Sequence, residues 1–307
     1  MSGPASHQTI SYLGKRFAES GIRLNHRHGQ NFLVDLNLLR MIADSAQLEP
    51  RDVVLEIGTG TGALTALAAK QAAAVVTVEI DPQLFILARE ELIEFKNITM
   101  LQTDALRTKS HLSEEVIAAV QQQLAAGPNR RLKLVANLPY SVATPIIANL
   151  LASPIVPLSM SVTIQKEVAE RIAAVPDSKD YGALAVWIQS QCKVQLLRTL
   201  PPSVFWPRPR VTSAILHIEV DAERRAQIPD LPFFHDFVRS LFIHRRKFLR
   251  SVLVSTLKGR LDKPGVDEVL DATGLSPEQR AEQLDTSTIL RLCEAVRSRV
   301  TVPAQVD

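Results

Sequence analysis

The sequence predicts an α/β fold in which a parallel sheet carries helices on both faces, with a small C-terminal helical domain behind it. Three features point there. Five short, mostly β-branched runs occur between residues 53 and 164, longer segments with helical spacing separate them, and no strand-like run recurs after Val220. Alternation of this kind favours a parallel sheet, because each crossover helix buries its apolar stripe against the strands it connects.

Along the chain, residues 1–20 carry no strong pattern and are expected to be loosely ordered. The first run, Val53–Ile57, leads into a helical segment at Ala63–Ala73. The second, Val75–Glu79, precedes a helix over Pro82–Phe95. Asp81 stands ready to cap it, and Pro82 sits at the first helical position, where the missing N–H costs nothing. Ile98–Leu101, Leu132–Ala136 and Met160–Ile164 complete the five, with a helix-like Ser113–Ala126 inside the long segment 107–131. Val194–Leu200 and Ala214–Val220 flank the proline-rich stretch Pro201–Arg210, which has no helical pattern, so they read as an antiparallel pair at the sheet edge. Beyond lie helices at Leu231–Leu257, Val266–Thr273 and Thr286–Arg299. A boundary near residue 220 divides the chain into domains 1–220 and 221–307.

Composition limits the possible functions. With 46% hydrophobic and 22% charged residues in 307, the chain can bury a sizeable core and is not a disordered one. Its two cysteines, Cys192 and Cys293, cannot build a zinc cluster or a disulfide framework on their own, which points to a reducing compartment and to no structural metal. No run of eighteen apolar residues and no secretory leader stands out, so a cytoplasmic protein with no membrane association is expected. The net charge of +3 hides a local excess: residues 193–260 hold 13 Lys/Arg against 5 Asp/Glu, and residues 1–30 hold four against one. This suggests a polyanion surface built from both ends of the chain, the alternative being a solvated charged face.

The first run ends in Glu56-Ile57-Gly58-Thr59-Gly60-Thr61-Gly62 and passes directly into a helix. Glycines such as Gly58 and Gly60 let the backbone turn sharply and let a ligand approach without meeting a Cβ. The spacing G-x-G-x-G differs from the G-x-G-x-x-G that seats a pyrophosphate on a helix N-terminus, and it suits S-adenosylmethionine (SAM), which has no phosphate. Glu79, twenty-one residues after Gly58, can accept hydrogen bonds from both ribose hydroxyls. Asp104, after the third run, can take the exocyclic amine of an adenine, or serve as a plain cap or turn residue. A Rossmann-like sheet of the SAM-dependent methyltransferase type accommodates all three.

The fourth run passes into Asn137-Leu138-Pro139-Tyr140. An adenine amine is a poor nucleophile because its lone pair is delocalised into the ring. A site that methylates it must hold the amine in line and accept its hydrogen bonds. An Asn side-chain oxygen and a backbone carbonyl beside a proline can do so without a general base, while Tyr140 stacks on the purine. Taken alone, Asn-x-Pro-Tyr after a strand is also ordinary turn chemistry.

Nine motifs in order, from about His28 onward, resemble the small-subunit ribosomal RNA adenine dimethyltransferase family. They are Gly29-Gln30-Asn31-Phe32-Leu33, Glu56–Gly62, Glu79–Asp81, Asp104-Ala105, Asn137–Tyr140, Gln165–Val168, Tyr181-Gly182, the proline-rich Pro201–Ser213 and His244-Arg245-Arg246-Lys247. The resemblance implies dimethylation of N6 on two adjacent adenines near the 3′ end of that RNA, with SAM as cofactor and a role in small-subunit biogenesis. It assigns Asn31, Leu33, Gly58, Gly60, Glu79, Asp104 and Asn137 to the cofactor. Asn137, the carbonyls of Leu138 and Pro139, and the ring of Tyr140 go to the target base. Phe205, in the proline-braced loop, would cover the opposite face of that base once it has left its stack. Arg245, Arg246 and Lys247 would meet phosphates of the ribosomal RNA or the pre-small-subunit particle. Gln165–Glu167 reads as a strand end feeding a helix, and the protein as a monomer. The segment from Arg107 to Arg131 is longer than the family pattern.

Three other readings remain open at this level: a large-subunit RNA adenine methylase of the macrolide-resistance type, a non-catalytic ribosome-assembly factor, and, on the glycine loop and Glu79 alone, a nicotinamide-dependent dehydrogenase.

Overall fold

The computed structural model describes residues 9–22 and 30–300. In chain order these form α1 (Ile10–Glu19), β1 (Phe32–Leu33), α2 (Leu36–Ser45), β2 (Asp52–Ile57), α3 (Ala63–Ala69), β3 (Ala74–Val78), α4 (Pro82–Glu91) and β4 (Ile98–Leu101). A short hairpin follows, β5 (Leu106–Thr108) and β6 (His111–Leu112), then α5 (Glu114–Ala125), β7 (Arg131–Asn137), α6 (Ala143–Ala152), β8 (Ser159–Gln165) and α7 (Lys166–Ile172). After α8 (Ala183–Gln189) come β9 (Cys192–Leu200), β10 (Phe205–Trp206) and β11 (Ser213–Val220), then α9 (Ala222–Ala226), α10 (Leu231–Phe242), α11 (Leu249–Thr256), α12 (Lys263–Thr273) and α13 (Thr286–Val300).

The seven-stranded sheet has the order β4-β3-β2-β7-β8-β11-β9. The pairs β3–β4, β2–β3, β2–β7 and β7–β8 are parallel, and β11 runs antiparallel to β8. The chain moves outward from β2 to β4 on one side and resumes with β7 on the other. The carboxyl ends of β2 and β7 therefore flank the point where strand order reverses, the usual ligand crevice of such sheets. β2 and β3 are buried along their whole length, as expected of parallel strands covered on both faces.

At the opposite end of these strands sits a buried ion cluster. Asp52 accepts Arg131 at 2.9 Å and Lys133 at 2.9 Å, and the Lys133 Nζ also donates to the carbonyls of Ala46 (2.9 Å) and Gln47 (2.7 Å). Burial works against the Asp52 charge, but these donors and the Glu49 N–H hold the carboxyl below its ordinary range. None of the buried side-chain nitrogens or oxygens of this cluster lacks a partner, which is the condition under which a buried charge is tolerable.

Two compact units emerge: one comprises the chain to Ala169 with Val194–Val220, the other Glu170–Lys193 with the chain from Asp221 onward. The chain passes between the units at 169–170, 193–194 and 220–221, and nothing in the residue pattern signals the first two. In the second unit α8 packs on α10, with Trp187 against Phe234 and His235.

Several local expectations need correction. Residues 10–19 are a capped helix, not a loose tail: Thr9 accepts the Tyr12 N–H, and Leu13 and Phe17 are buried against Phe32, Leu84 and Leu87. The helix after the glycine loop stops at Ala69 because the Ala73 N–H turns to the Asp52 carbonyl (2.9 Å) to start β3. The helix begun at Asp81 and Pro82 ends at Glu91, not Phe95. The expected single helix 231–257 is two, α10 and α11. Between them Phe248 forms an antiparallel bridge with Arg280, and the Leu249 N–H bonds Gln279 O at 2.7 Å, so backbone pairing replaces a helical turn.

Candidate active site

The glycine turn closes β2 onto β3. Gly58 has φ +87°, and its N–H donates to Val78 O at 2.8 Å. A Cβ at Gly58 would lie 3.4 Å from the Pro139 ring carbons, and one at Gly60 would lie 3.2 Å from Phe32. Both positions combine left-handed backbone with a close neighbour, which only glycine satisfies. The acceptor motif thus packs on the glycine turn itself.

Glu79, the residue after β3, is 5% exposed. Its Oε2 accepts the Gly60 N–H at 2.9 Å and its Oε1 the Asp81 N–H at 2.9 Å. Burial pushes its carboxyl above the ordinary range against the pull of those N–H donors. Asp81 in turn caps α4 through the Gln83 and Leu84 N–H groups and accepts Gln30 Nε2 at 2.9 Å. Asp104, exposed beyond the end of β4, accepts the Leu106 N–H at 2.9 Å, so it turns the chain while also lining the cleft.

At the end of β7, Asn137 Nδ2 donates to the Asn31 carbonyl at 2.9 Å. A carbonyl can only accept, so this bond fixes the amide: nitrogen toward Asn31, Oδ1 left as the acceptor. The Leu138 N–H donates to Thr163 O (3.1 Å), and the Pro139 carbonyl accepts the Val142 N–H (3.1 Å) as α6 begins. The Tyr140 ring is half-buried, and its hydroxyl lies 2.5 Å from Ser213 Oγ, held by the first residue of β11.

Gly58, Gly60, Glu79, Asp104, Asn31 and Asn137–Tyr140 line one cavity of about 260 Å³. Phe32, Val78, Ile80, Leu84 and Val142 give it apolar walls that the motif reading missed. Ile80 is the legible one, an isolated apolar residue directly after Glu79 that stays 44% exposed. Leu33 is not in this wall. It is 3% exposed and lines a smaller cavity of about 40 Å³ behind the glycine turn, together with Glu56 and Asn137.

Phe205 departs from expectation. Its ring is 2% exposed and lies in the core with Leu33, Leu39 and Ile215, because β10 pairs with β1 and sets Phe205 opposite Leu33. In this structure it braces the wall from behind and does not face Tyr140 across the cleft. Trp206 packs on Phe17 with ring centroids 5.5 Å apart, which is packing between elements.

Beneath the turn, Glu56 is buried and accepts Thr65 Oγ1 and, at 2.7 Å, Thr77 Oγ1. Thr77 also meets Thr59 of the turn at 2.7 Å. Thr77 gives its one proton to Glu56, so Thr59 is the donor in that contact. Burial pushes the Glu56 carboxyl up to about 8.

The basic triad falls in the turn between α10 and α11. Arg245 is occupied internally, donating to Tyr181 O at 3.0 Å and lying 3.6 Å from Glu282, whereas Arg246 and Lys247 are exposed. Of the N-terminal cations, Lys15 and Arg16 pair with Glu19 and Glu91. Arg23, Arg27, His28 and Gly29 lie outside the described residues. Among those described, no group of His, Cys, Asp or Glu could hold a metal, and no helix is long and apolar enough to cross a membrane. Cys192 and Cys293 are buried thiols, the former pushed up to about 12 by burial.

The donor set fits a nucleoside cofactor. Two carboxylates stand at the ends of neighbouring strands, one buried and bound only by neutral N–H groups, beside an apolar wall and a turn whose positive-φ backbone favours glycine. A parallel sheet with this crevice, leading to an amide acceptor, defines a Rossmann-like methyltransferase. The model of the ribosomal RNA adenine dimethylase family matches residues 21–292, and the chain belongs to that family. It is 42% identical over 267 residues to the ribosomal RNA small subunit methyltransferase A of Listeria monocytogenes, covering 86% of this chain and 88% of that one. To the protein of the same name from Geobacillus thermodenitrificans it is 35% identical over 294 residues, covering 94% and 98%. Among solved structures, a dimethyladenosine transferase from Plasmodium falciparum shares the fold with TM-score 0.71 at 23% identity, covering 84% of this chain and 94% of the other. The 23S rRNA methyltransferase ErmE does so with TM-score 0.61 at 25% identity, covering 86% and 99%.

Proposed function

We propose that the protein transfers methyl groups from SAM to N6 of two adjacent adenines near the 3′ end of small-subunit ribosomal RNA, acting in the cytoplasm during assembly of the subunit. The observation that carries this is the fixed amide of Asn137, whose oxygen remains an acceptor in a cleft shared with Glu79, Asp104 and Tyr140. The names of the relatives at 35% and 42% identity favour the small subunit over the large as the source of the substrate.

Glu79 accepts the ribose hydroxyls and Asp104 the adenine amine of the cofactor, while Ile80 covers a purine face. When bound, SAM supplies an electrophilic methyl carbon on a sulfonium, which leaves as a thioether. Asn137 Oδ1 and a carbonyl of the Leu138–Pro139 pair accept the two N–H bonds of the target amine. That contact would draw the nitrogen toward tetrahedral geometry and free its lone pair for methylation, after which the positively charged nitrogen would lose one proton to water. Tyr140 stacks on the base and is held for that task by Ser213. Arg246 and Lys247 contribute phosphate contacts.

Incubation with methyl-labelled SAM and unmodified small-subunit particles should yield N6,N6-dimethyladenosine at adjacent positions, with none in large-subunit particles, and Asn137→Ala should abolish it. Label confined to large-subunit RNA, or turnover undiminished by Asn137→Ala, contradicts the proposal.

A further inference from the structure

The exposed ring of Phe248 follows the basic turn directly. It is 50% exposed, a large apolar surface for a residue with charged neighbours. Its backbone is fixed on several sides: it bridges Arg280, its carbonyl accepts the Val252 N–H at 3.1 Å, and the adjacent Leu249 N–H bonds Gln279 O at 2.7 Å. The residue that the bridge sets opposite Phe248, Arg280, pairs with Glu282 at 3.9 Å. The two residues before Phe248, Arg246 and Lys247, are exposed, and among the described residues their side chains have no ion-pair or hydrogen-bond partner. The neighbouring cations are differently placed. Arg245 is tied to Tyr181 and Glu282, and Arg250 is clamped by Asp267 at 2.5 and 2.8 Å. The result is an exposed aromatic ring on a fixed backbone, directly after two cations available for phosphate.

We propose that Phe248 is a stacking platform for an unpaired ribosomal RNA base, with Arg246 and Lys247 holding the flanking phosphates. The helical unit thereby carries a nucleotide-binding point of its own. Aromatic faces bind bases irrespective of identity, and free cations beside them track the backbone, the usual chemistry of single-stranded RNA recognition. The fixed backbone lowers the entropy lost on binding. This inference rests on the ribosomal RNA reading above and adds a contact outside the methylation cleft.

The test is retention of protein-free small-subunit ribosomal RNA by the full chain across a salt series, with methylation of unmodified particles by the wild type run in parallel. Phe248→Ala should weaken binding about five- to a hundredfold at every salt concentration, leaving the log–log salt slope unchanged. Phe248→Tyr should restore affinity and Phe248→Leu should not. Arg246→Gln and Lys247→Gln should each flatten the slope by roughly 0.7–0.9. Affinity of Phe248→Ala within twofold of wild type, or equal binding by Phe248→Leu, overturns the proposal. So does a slope change in Phe248→Ala, which would make the ring a support for the cations. Weakened binding to particles with unchanged binding to bare RNA also overturns it, since the partner would then be protein. Failure of the wild type to methylate particles strikes the functional reading instead, whatever Phe248 does.

Discussion

The chemistry of the cleft is set by what each polar atom already touches. Glu79 uses one carboxylate oxygen on Gly60 and the other on Asp81, so an amide at this position would turn an N–H against a backbone N–H. Glu79→Gln should therefore weaken SAM binding by about 1–3 kcal/mol, roughly five- to 150-fold, as read by calorimetry; unchanged affinity would mean that the carboxylate neither shapes the turn nor meets the cofactor. Tyr140 contributes a ring and a hydroxyl separately. Tyr140→Ala should cost about 1–3 kcal/mol in RNA engagement with SAM affinity retained, while Tyr140→Phe keeps the ring and loses only the Ser213 bond. An equal loss of SAM binding in Tyr140→Ala would make the ring a structural part of the cofactor cleft. These residues were legible because their chemistry is written in short motifs. Phe205 and Leu33 were not, because a motif does not say which way a side chain faces, and pairing of β1 with β10 turns both into the core.

Among the elements, the turn between β2 and α3 rests on a buried carboxyl. Glu56 accepts Thr65 and Thr77 beneath the turn, and its carboxyl is pushed up to about 8, far above an unfolded chain's value. A carboxyl raised by folding stabilises most below its unfolded value. It loses that contribution as pH rises from about 4.3 toward the folded value, at most about 1.4 kcal/mol per pH unit. Glu56→Gln keeps the acceptor for both threonines and cannot ionise. Thermal melts across this window should show a flatter pH dependence for Glu56→Gln than for wild type, and equal slopes would place the proton elsewhere. Asp52 at the far end has the opposite sign: its contribution is present above the ordinary carboxylate range and lost in acid. Strands and crossover helices were readable from alternation and caps, to within a residue or two for the strands. The breaks after Ala69 and Phe242 were not, because the backbone beyond each turns to a partner distant in sequence, Ala73 to Asp52 and Leu249 to Gln279.

For the whole molecule, alternating strands and helices gave the fold class. The inclusion of 170–193 in the second unit was hidden, since the apolar face of α8 has the same spacing whichever helices it packs against. Charge was legible as a total but not as a surface: Arg245, Lys15 and Arg16 are matched by carboxylates, and Arg246 and Lys247 are left exposed. Catalysis at Asn137 requires the bound sulfonium to stand beside it. Crystals grown with S-adenosylhomocysteine test this most directly. Ribose density is expected on Glu79, the adenine amine at Asp104 and the sulfur beside the Asn137–Tyr140 turn; a ligand seated away from the carboxyl ends of β2 and β7 would rule the assignment out.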